Sequence, residues 1–403
     1  MKEDNASGIK IGLELEFQIL DQDGNVCNAA PTILSDPANN GNIVPEGSNS
    51  MIEVIAPPSD NLEEMASNFQ TEVVNLVNIA EKYGFRLLPS STIGKDAKPE
   101  ETGLLRYASK KSVLGSARKN IEYHICGTHV HTDKLPDELL ATQYKVKTAM
   151  DPAFALMAST PFHAGKNSLE DHRVHIYRNV VFDDFPLQGQ LLPHVNNFDE
   201  VLERQQATYD HWISLVQKKG FSGDGFNVLN TCWGPVRCTE NTIEARGADA
   251  NLLSRVIALG ALYKGVNEFI QQYTPNTVIA ENLPAQELFT FIDGKTLRLP
   301  SFQQLKAFEK AGINKGIRDP QLNSYLSNVL FVARKGLSHD DQRFLEPFAE
   351  SLRTGRTFSR EIVDFAKKEG IYSTDDLSDS AACSIRRYIS DRMSQDLDEF
   401  KYN

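Results

Sequence analysis

The stretch Ile9-Lys10-Ile11-Gly12-Leu13-Glu14-Leu15-Glu16-Phe17-Gln18-Ile19-Leu20 alternates apolar and polar residues with period two. That is the pattern of a β-strand with one apolar and one polar face. Glu14 and Glu16 then project from the same face, and Leu13, Leu15 and Phe17 from the other. Neighbouring carboxylates repel each other, so such a strand either faces open water or shares a cation between its acids. The cation is the stronger reading, because later segments supply further parts of a divalent-metal and phosphate site.

Outward from this strand, Asp21-Gln22-Asp23-Gly24 reads as a hairpin-type turn. A loop-like stretch with Pro31, Pro37, Gly41, Pro45 and Gly47 leads to a second strand over 50–55 that contains Glu53. Ala56-Pro57-Pro58 stops its ladder. Ser59 or Asp60 caps a helix, with Glu63 at capping-box spacing from Asp60. Leu62, Met65, Phe69, Val73 and Leu76 form its apolar stripe, and Gly84 closes it. From Pro89 to about Glu101 the chain is polar and reads as flexible. Residues 122–132 read as a strand that sets His129 and His131 on one face.

Helical patterns follow over 136–150, 152–158, 199–219 and 252–272. Residues 165–190, rich in charge and aromatics, read as an active-site loop region with some strand. Apolar-alternating pieces occupy 226–233 and 241–246. Beyond Pro284 the texture becomes helical, over 301–311, 321–335, 340–353, 359–368 and 378–400, with few strand candidates. The expected organisation is α+β, with residues 1–285 as a catalytic body and 286–403 as a helical C-terminal part packed on it.

Composition narrows the classes. With 403 residues, 40% hydrophobic and 24% charged, the chain matches an ordinary globular protein. No apolar run approaches the ~20 residues that span a bilayer, so no membrane partner is expected. The net charge of -12, without a basic stripe, argues against a nucleic-acid partner. The polar start, Met1 to Ser7, lacks the apolar core of a signal peptide. The five cysteines are an odd number without CxxC spacing. A reduced, cytoplasmic setting is the expectation.

Taken singly, the motifs carry little. An E-x-E strand usually shows its acids to water, and a lone strand glutamate such as Glu53 does so more often still. Two imidazoles on one strand face, His129 and His131, suit a divalent metal or an anion, but structural histidines are about as common. His124, His163, His175, His194, His211 and His339 default to structural or surface roles. Glu244 and Arg246, two apart, are either an in-strand ion pair or a metal carboxylate beside an anion-binding guanidinium. No persuasive Ser-His or Cys-His nucleophile pair appears.

In combination these segments resemble the glutamate–cysteine ligase superfamily, in particular its bacterial carboxylate–amine ligase branch, and more distantly glutamine synthetase. The G-x-E-x-E strand is matched by Gly12, Glu14 and Glu16, and the next strand by Ile52-Glu53-Val54-Ile55-Ala56-Pro57. Gly127, His129 and His131 match G-x-H-x-H, and Ile243, Glu244, Arg246 and Asp249 match I-E-x-R-x-x-D. Ala158-Ser159-Thr160-Pro161-Phe162-His163-Ala164-Gly165, followed by Arg173, resembles the S-x-x-P-F-x-x-G…R stretch. The helical tail matches loosely, through Leu345-Glu346-Pro347 and Arg353 to Arg356. Trp233-Gly234-Pro235-Val236-Arg237 matches the family's Trp-Asp-x-Arg-Pro only with a shift, which leaves Arg237 without a role.

The resemblance implies a glutamine synthetase-like catalytic domain, in which a mainly antiparallel sheet carries the site and helices cover its other face. It implies ATP as substrate. It also implies two or three Mg²⁺ or Mn²⁺ ions on Glu14, Glu16, Glu53, His129 and Glu244. By the same resemblance Arg246 and Arg173 grip the transferring phosphoryl group and the acid substrate. His131, with Arg246, lies near the nucleotide. The implied product is an amide made through an acyl phosphate, with glutamate the usual carboxylate and the amine left open. The partners are then small amino acids and amines, and the resemblance allows a homodimer. Two rivals remain, a metal-dependent amide hydrolase and a non-catalytic binding member of the fold.

Overall fold

In the computed structural model, residues 8–91, 93–163, 169–371 and 377–400 are described. The opening strand, β1 (Ile11–Leu20), runs through the middle of a seven-stranded sheet. The other strands of the sheet are β2 (Ile43–Pro45), β3 (Met51–Ile55), β4 (Arg86–Leu88), β5 (Gly127–Asp133), β6 (Val236–Cys238) and β7 (Thr242–Asp249). The order is β2-β3-β1-β5-β7-β6, with β4 added to the end of β1, and every pairing is antiparallel. The period-two reading holds: Leu13, Leu15 and Phe17 are almost completely buried on one face.

Helices cover that apolar face. Between β1 and β2 lies the short α1 (Ala30–Leu34), and after β3 comes α2 (Leu62–Lys82). The cap of α2 is Asn61, whose side chain accepts from Glu64 N at 3.0 Å, not Ser59 or Asp60. Ser59 is occupied instead, its hydroxyl donating to the Glu64 carboxylate at 2.5 Å. Two further helices, α3 (Leu105–Leu114) and α4 (Ser116–Glu122), precede β5, so the strand expected from 122 begins only at Gly127. Next come α5 (Asp137–Ala149), a 3₁₀ segment over 151–157, α6 (His172–Ile176) running into one turn of π-helix, and α7 (Asp199–Lys218). The 165–190 stretch is therefore helical from 172 to 181 rather than part strand. Residues 226–233 are turns, not an alternating strand.

α8 (Leu253–Tyr273) is apolar nearly all round and correspondingly buried, as a core helix should be. It is followed by a small sheet of β8 (Asn276–Ala280), β9 (Thr290–Ile292) and β10 (Thr296–Pro300) in the order β8-β10-β9. The region after Pro284 thus contains two strands that helical patterning did not anticipate. The remaining chain is α9 (Phe302–Lys315), α10 (Pro320–Gly336), α11 (Glu346–Thr354), α12 (Phe358–Lys368) and α13 (Asp379–Glu399). One apolar cluster joins Leu13, Phe17, Phe69 and Leu262 to Tyr325, Leu326 and Ile389, so residues on both sides of 285 share a core. α8 and α10 touch backbone to backbone: a Cβ added at Gly336 would lie 1.9 Å from the Gly265 carbonyl oxygen.

Candidate active site

The polar face of the large sheet carries a row of ionisable side chains, and strand register explains it. In the antiparallel ladders Glu16 stands opposite Glu53, Glu14 opposite His129, His131 opposite Glu244, and Glu244 opposite Arg237. Directly paired residues share a face, so these ladders carry one row of charge from β3 to β6. Gly12 is the partner of His131 and adds no side chain there. A bulge interrupts the pairing of β5 with β7. Thr128 pairs with Ala248 but Val130 pairs with Ala245, so two residues, Arg246 and Gly247, face the single His129. Such bulges re-aim side chains.

The resulting distances are short. His129 Nδ1 is 3.0 Å from Glu14 Oε2, 3.7 Å from Glu53 Oε1 and 3.9 Å from Glu244 Oε1, while its Nε2 is 3.8 Å from Glu16 Oε1. His131 Nε2 lies 3.1 Å from Glu14 Oε1 and 3.7 Å from Glu244 Oε1, and its Nδ1 is 2.9 Å from Thr242 Oγ1. Three sets have ligand atoms within 4.8 Å of one another: Glu14–His131–Glu244, Glu14–Glu53–His129 and Glu16–Glu46–Glu53. The five residues expected to hold metal are therefore neighbours, drawn from four strands. Glu46, just past β2, joins them although no pattern in the sequence singled it out.

Charge in this row is unevenly compensated. Against the burial that opposes it, hydrogen bonds with His129 and His131 hold the Glu14 carboxyl well below the usual range. Glu244 is likewise buried, yet Arg246 and Arg237 draw it down to about 2. Arg237 Nε donates to Glu244 Oε2 at 2.6 Å and Arg246 donates to Oε1. Arg237, left without a role by its shifted motif, is thus a direct partner of Glu244. Glu16 is pushed up to about 8, by burial first and by Glu46 next. Glu53 is pushed well above the usual range by burial, Glu46, Glu14 and Glu16, and Glu46 also rises with burial. Burial, then Arg246, lowers His129 to about 4. At neutral pH it is a neutral imidazole whose Nδ1–H is assigned to Glu14, leaving Nε2 toward Glu16.

Arg173 enters from α6. Asp171 caps that helix by accepting from Val174 N at 2.9 Å. Arg173 Nη1 donates to the Gly247 carbonyl at 3.3 Å. Close approach at Gly127 makes room for it, since a Cβ there would meet Arg173 Nη2 at 2.2 Å. Ser159, from the segment preceding α6, donates its N–H to Asp249 at 3.0 Å. Ala164 and Gly165 of the same motif lie outside the described residues. Glu14, Glu16, Glu46, Glu53, His129, Arg173, Arg237 and Arg246 all line one cavity of about 300 Å³. Further wall comes from α3, α4 and Trp233, which sequence patterning had not connected with the site, and from Val174, Tyr177, Arg178 and Gly189 of the 165–190 stretch. A stripe of helical period carries no mark of which cavity its lysines face.

At family level, residues 10–280 match the model of glutamate-cysteine ligase family 2. The chain belongs to that family. No curated protein sequence matches the chain significantly. Among solved structures, a bifunctional glutathione synthetase from Pasteurella multocida aligns with TM-score 0.62 at 12% identity, over 97% of this chain and 53% of that one. A glutamate–cysteine ligase from Francisella tularensis, in complex with AMP, aligns with TM-score 0.59 at 13% identity, over 98% and 96% of the two chains. The chain thus spans about half the length of the first and nearly all of the second. At such identity the likeness speaks for the fold: the expected α+β, glutamine synthetase-like architecture is the one found. Among the described residues no helix is long and apolar enough to cross a membrane.

Proposed function

We propose that this protein joins a carboxylate, with glutamate as donor, to an amine by consuming ATP and passing through an acyl phosphate. The observation that carries the reading is the convergence of Glu14, Glu16, Glu46, Glu53 and His129 on one cavity with Arg173, Arg237 and Arg246 beside them, and with Glu244 buried behind, its oxygen grouped with those of Glu14 and His131. Carboxylate oxygens with one or two imidazoles suit hard divalent cations, and Mg²⁺ or Mn²⁺ fits the donor set. The raised pKa values of Glu16, Glu46 and Glu53 point the same way, because a cation between them would relieve their repulsion. Held by these side chains, such ions would offset the negative charge of phosphoryl transfer.

The chain's own part is positioning. Glu14, Glu16, Glu53, His129 and Glu244 are the proposed ligands, and Glu46 joins them. Arg246, its charge anchored on Glu244, offers its planar fork to the transferring phosphoryl group. Arg173 holds the acid substrate, and His131 stands beside the nucleotide. Residues 1–285 form the catalytic body in this reading, and 286–403 a helical part packed on it. All five cysteines are free, which suits a reduced, cytoplasmic setting.

Phosphate release from Mg²⁺-ATP, measured with glutamate against a panel of amines, tests the proposal. One amine should give phosphate and amide in equal amounts, and Glu14→Ala or Glu244→Ala should abolish both while the protein stays folded. Amide cleavage without nucleotide, or full activity in either variant, would overturn it.

A further inference from the structure

The wall built by α3 and α4 carries a second charged cluster that the proposed reaction leaves unused. Lys110 and Lys119 both bind the Glu122 carboxylate, the latter with Nζ 2.5 Å from Oε2. The two lysines are 5% and 1% exposed, and both line the cavity. Each ammonium also sits over aromatic faces. Lys110 Nζ is 4.0 Å from the centre of the Trp233 ring and 5.4 Å from that of Phe182. Lys119 Nζ is 4.3 Å from Tyr123 and 4.8 Å from Tyr107. Arg106 adds a third cation from the rim, its Nη2 donating to the Tyr107 hydroxyl at 2.8 Å.

Charge does not balance here. Two ammonium groups out of water share one carboxylate, and aromatic faces offset a bare ammonium only in part. Burial, together with the Lys119 ammonium, lowers Lys110 to about 8, while the two lysines hold Glu122 down at about 2 against its own burial. The Tyr123 phenol lines the same wall. It is 2% exposed and its hydroxyl lies beside the Glu101 carboxylate. Two buried ammonium groups that share one carboxylate and face an open cavity call for an anion with acceptor oxygens.

We propose that Lys110 and Lys119 form a subsite for the non-reacting carboxylate of a substrate. The proposal rests on the ligase reading and refines it. It makes the substrate an amino acid, and disfavours the same molecule without that carboxylate. A planar carboxylate can accept from one or both ammonium groups and from the Tyr123 hydroxyl while its carbon skeleton lies along the Tyr107–Trp233 wall. The carboxylate could belong to the donor or to the acceptor, and the two are separated by experiment.

The experiment compares kcat/KM within matched pairs: glutamate against 4-aminobutyrate as donor, and cysteine against cysteamine or alanine against ethylamine as acceptor. In wild type, one type of pair should favour the carboxylate-bearing member at least tenfold, and that pair identifies the source. Lys110→Met and Lys119→Met should raise KM for that member about tenfold and erase the preference, with KM for ATP unchanged. Lys110→Arg, which keeps the charge and the fold, should retain a reduced preference. Equal kcat/KM within every wild-type pair overturns the subsite. A change confined to KM for ATP, or to kcat, does so too. Calorimetric binding of glutamate and 4-aminobutyrate to the metal-loaded protein gives a readout independent of turnover. If no pair supports ATP-dependent phosphate release, the ligase reading fails, whereas selective glutamate binding that is lost in Lys110→Met still upholds the subsite.

Discussion

Replacing Glu16 by glutamine should make the metal-free protein more tolerant of rising pH. Glu16 is buried, accepts from Gly127 N at 2.6 Å and stands opposite Glu53. Its carboxyl is pushed from the ordinary 4.5 up to about 8, by burial first and by Glu46 next. The folded protein therefore keeps a proton that the unfolded chain has already lost, and stability falls as pH climbs from 4.5 toward 8. The slope is ~1.4 kcal/mol per pH unit, so wild type loses roughly 2 kcal/mol through this group between about pH 6.5 and 8. Glutamine loses nothing through that position.

Other groups change in the same window. Lys147, lowered to about 7 by burial, contributes in the opposite sense. It is present in both proteins and cancels in their difference. Urea unfolding in the presence of a chelator, at several pH values, gives that difference directly. The gap should move by roughly 2 kcal/mol in favour of Glu16→Gln as pH rises, and saturating Mg²⁺ should close it by supplying the missing counter-charge to wild type. Parallel pH profiles, or equal stabilisation of both proteins by Mg²⁺, would refute the reasoning.

Three more outcomes follow from the geometry. Arg178 clamps Asp151 with two 2.8 Å hydrogen bonds and also binds Glu309, all of them buried. Arg178→Met strands Asp151, while Glu309 keeps Lys306, and should cost about 3–5 kcal/mol in denaturant unfolding; a loss below about 1 kcal/mol would show the clamp to be dispensable. Gly336→Ala drives a methyl into the Gly265 carbonyl, so the α8–α10 crossing must open, at a cost of at least ~1–3 kcal/mol read as a lower melting temperature. Arg246→Lys keeps the charge but loses the planar fork, and phosphate release should drop by more than about tenfold with the fold intact. Unaltered release would remove Arg246 from the site.

Much of the site was legible in the primary structure because it is built on strands. Period two alone puts Glu14 with Glu16 and Glu244 with Arg246, and antiparallel pairing of neighbouring strands then brings these pairs against His129, His131 and Glu53. The parts that escaped lie where period carries no such meaning. Glu46 follows the end of a three-residue strand. The bulge opposite His129 is a two-against-one count that exists only between strands. Lys110, Lys119 and Glu122 sit on two helices joined at Gly115, and their approach depends on how those helices turn toward the sheet. Arg237 went unassigned because its motif is displaced, yet an antiparallel pairing sets it directly opposite Glu244.

By itself, then, the chain of residues determined local alternation, the strand faces and the order of the motifs, because side-chain direction in a strand follows from backbone geometry between adjacent residues. Only the tertiary structure decided which charges became neighbours and which stayed uncompensated. Distance and desolvation between segments more than a hundred residues apart, as for Glu14 and His129, are properties of the packed sheet and its covering helices. No stretch of sequence contains them.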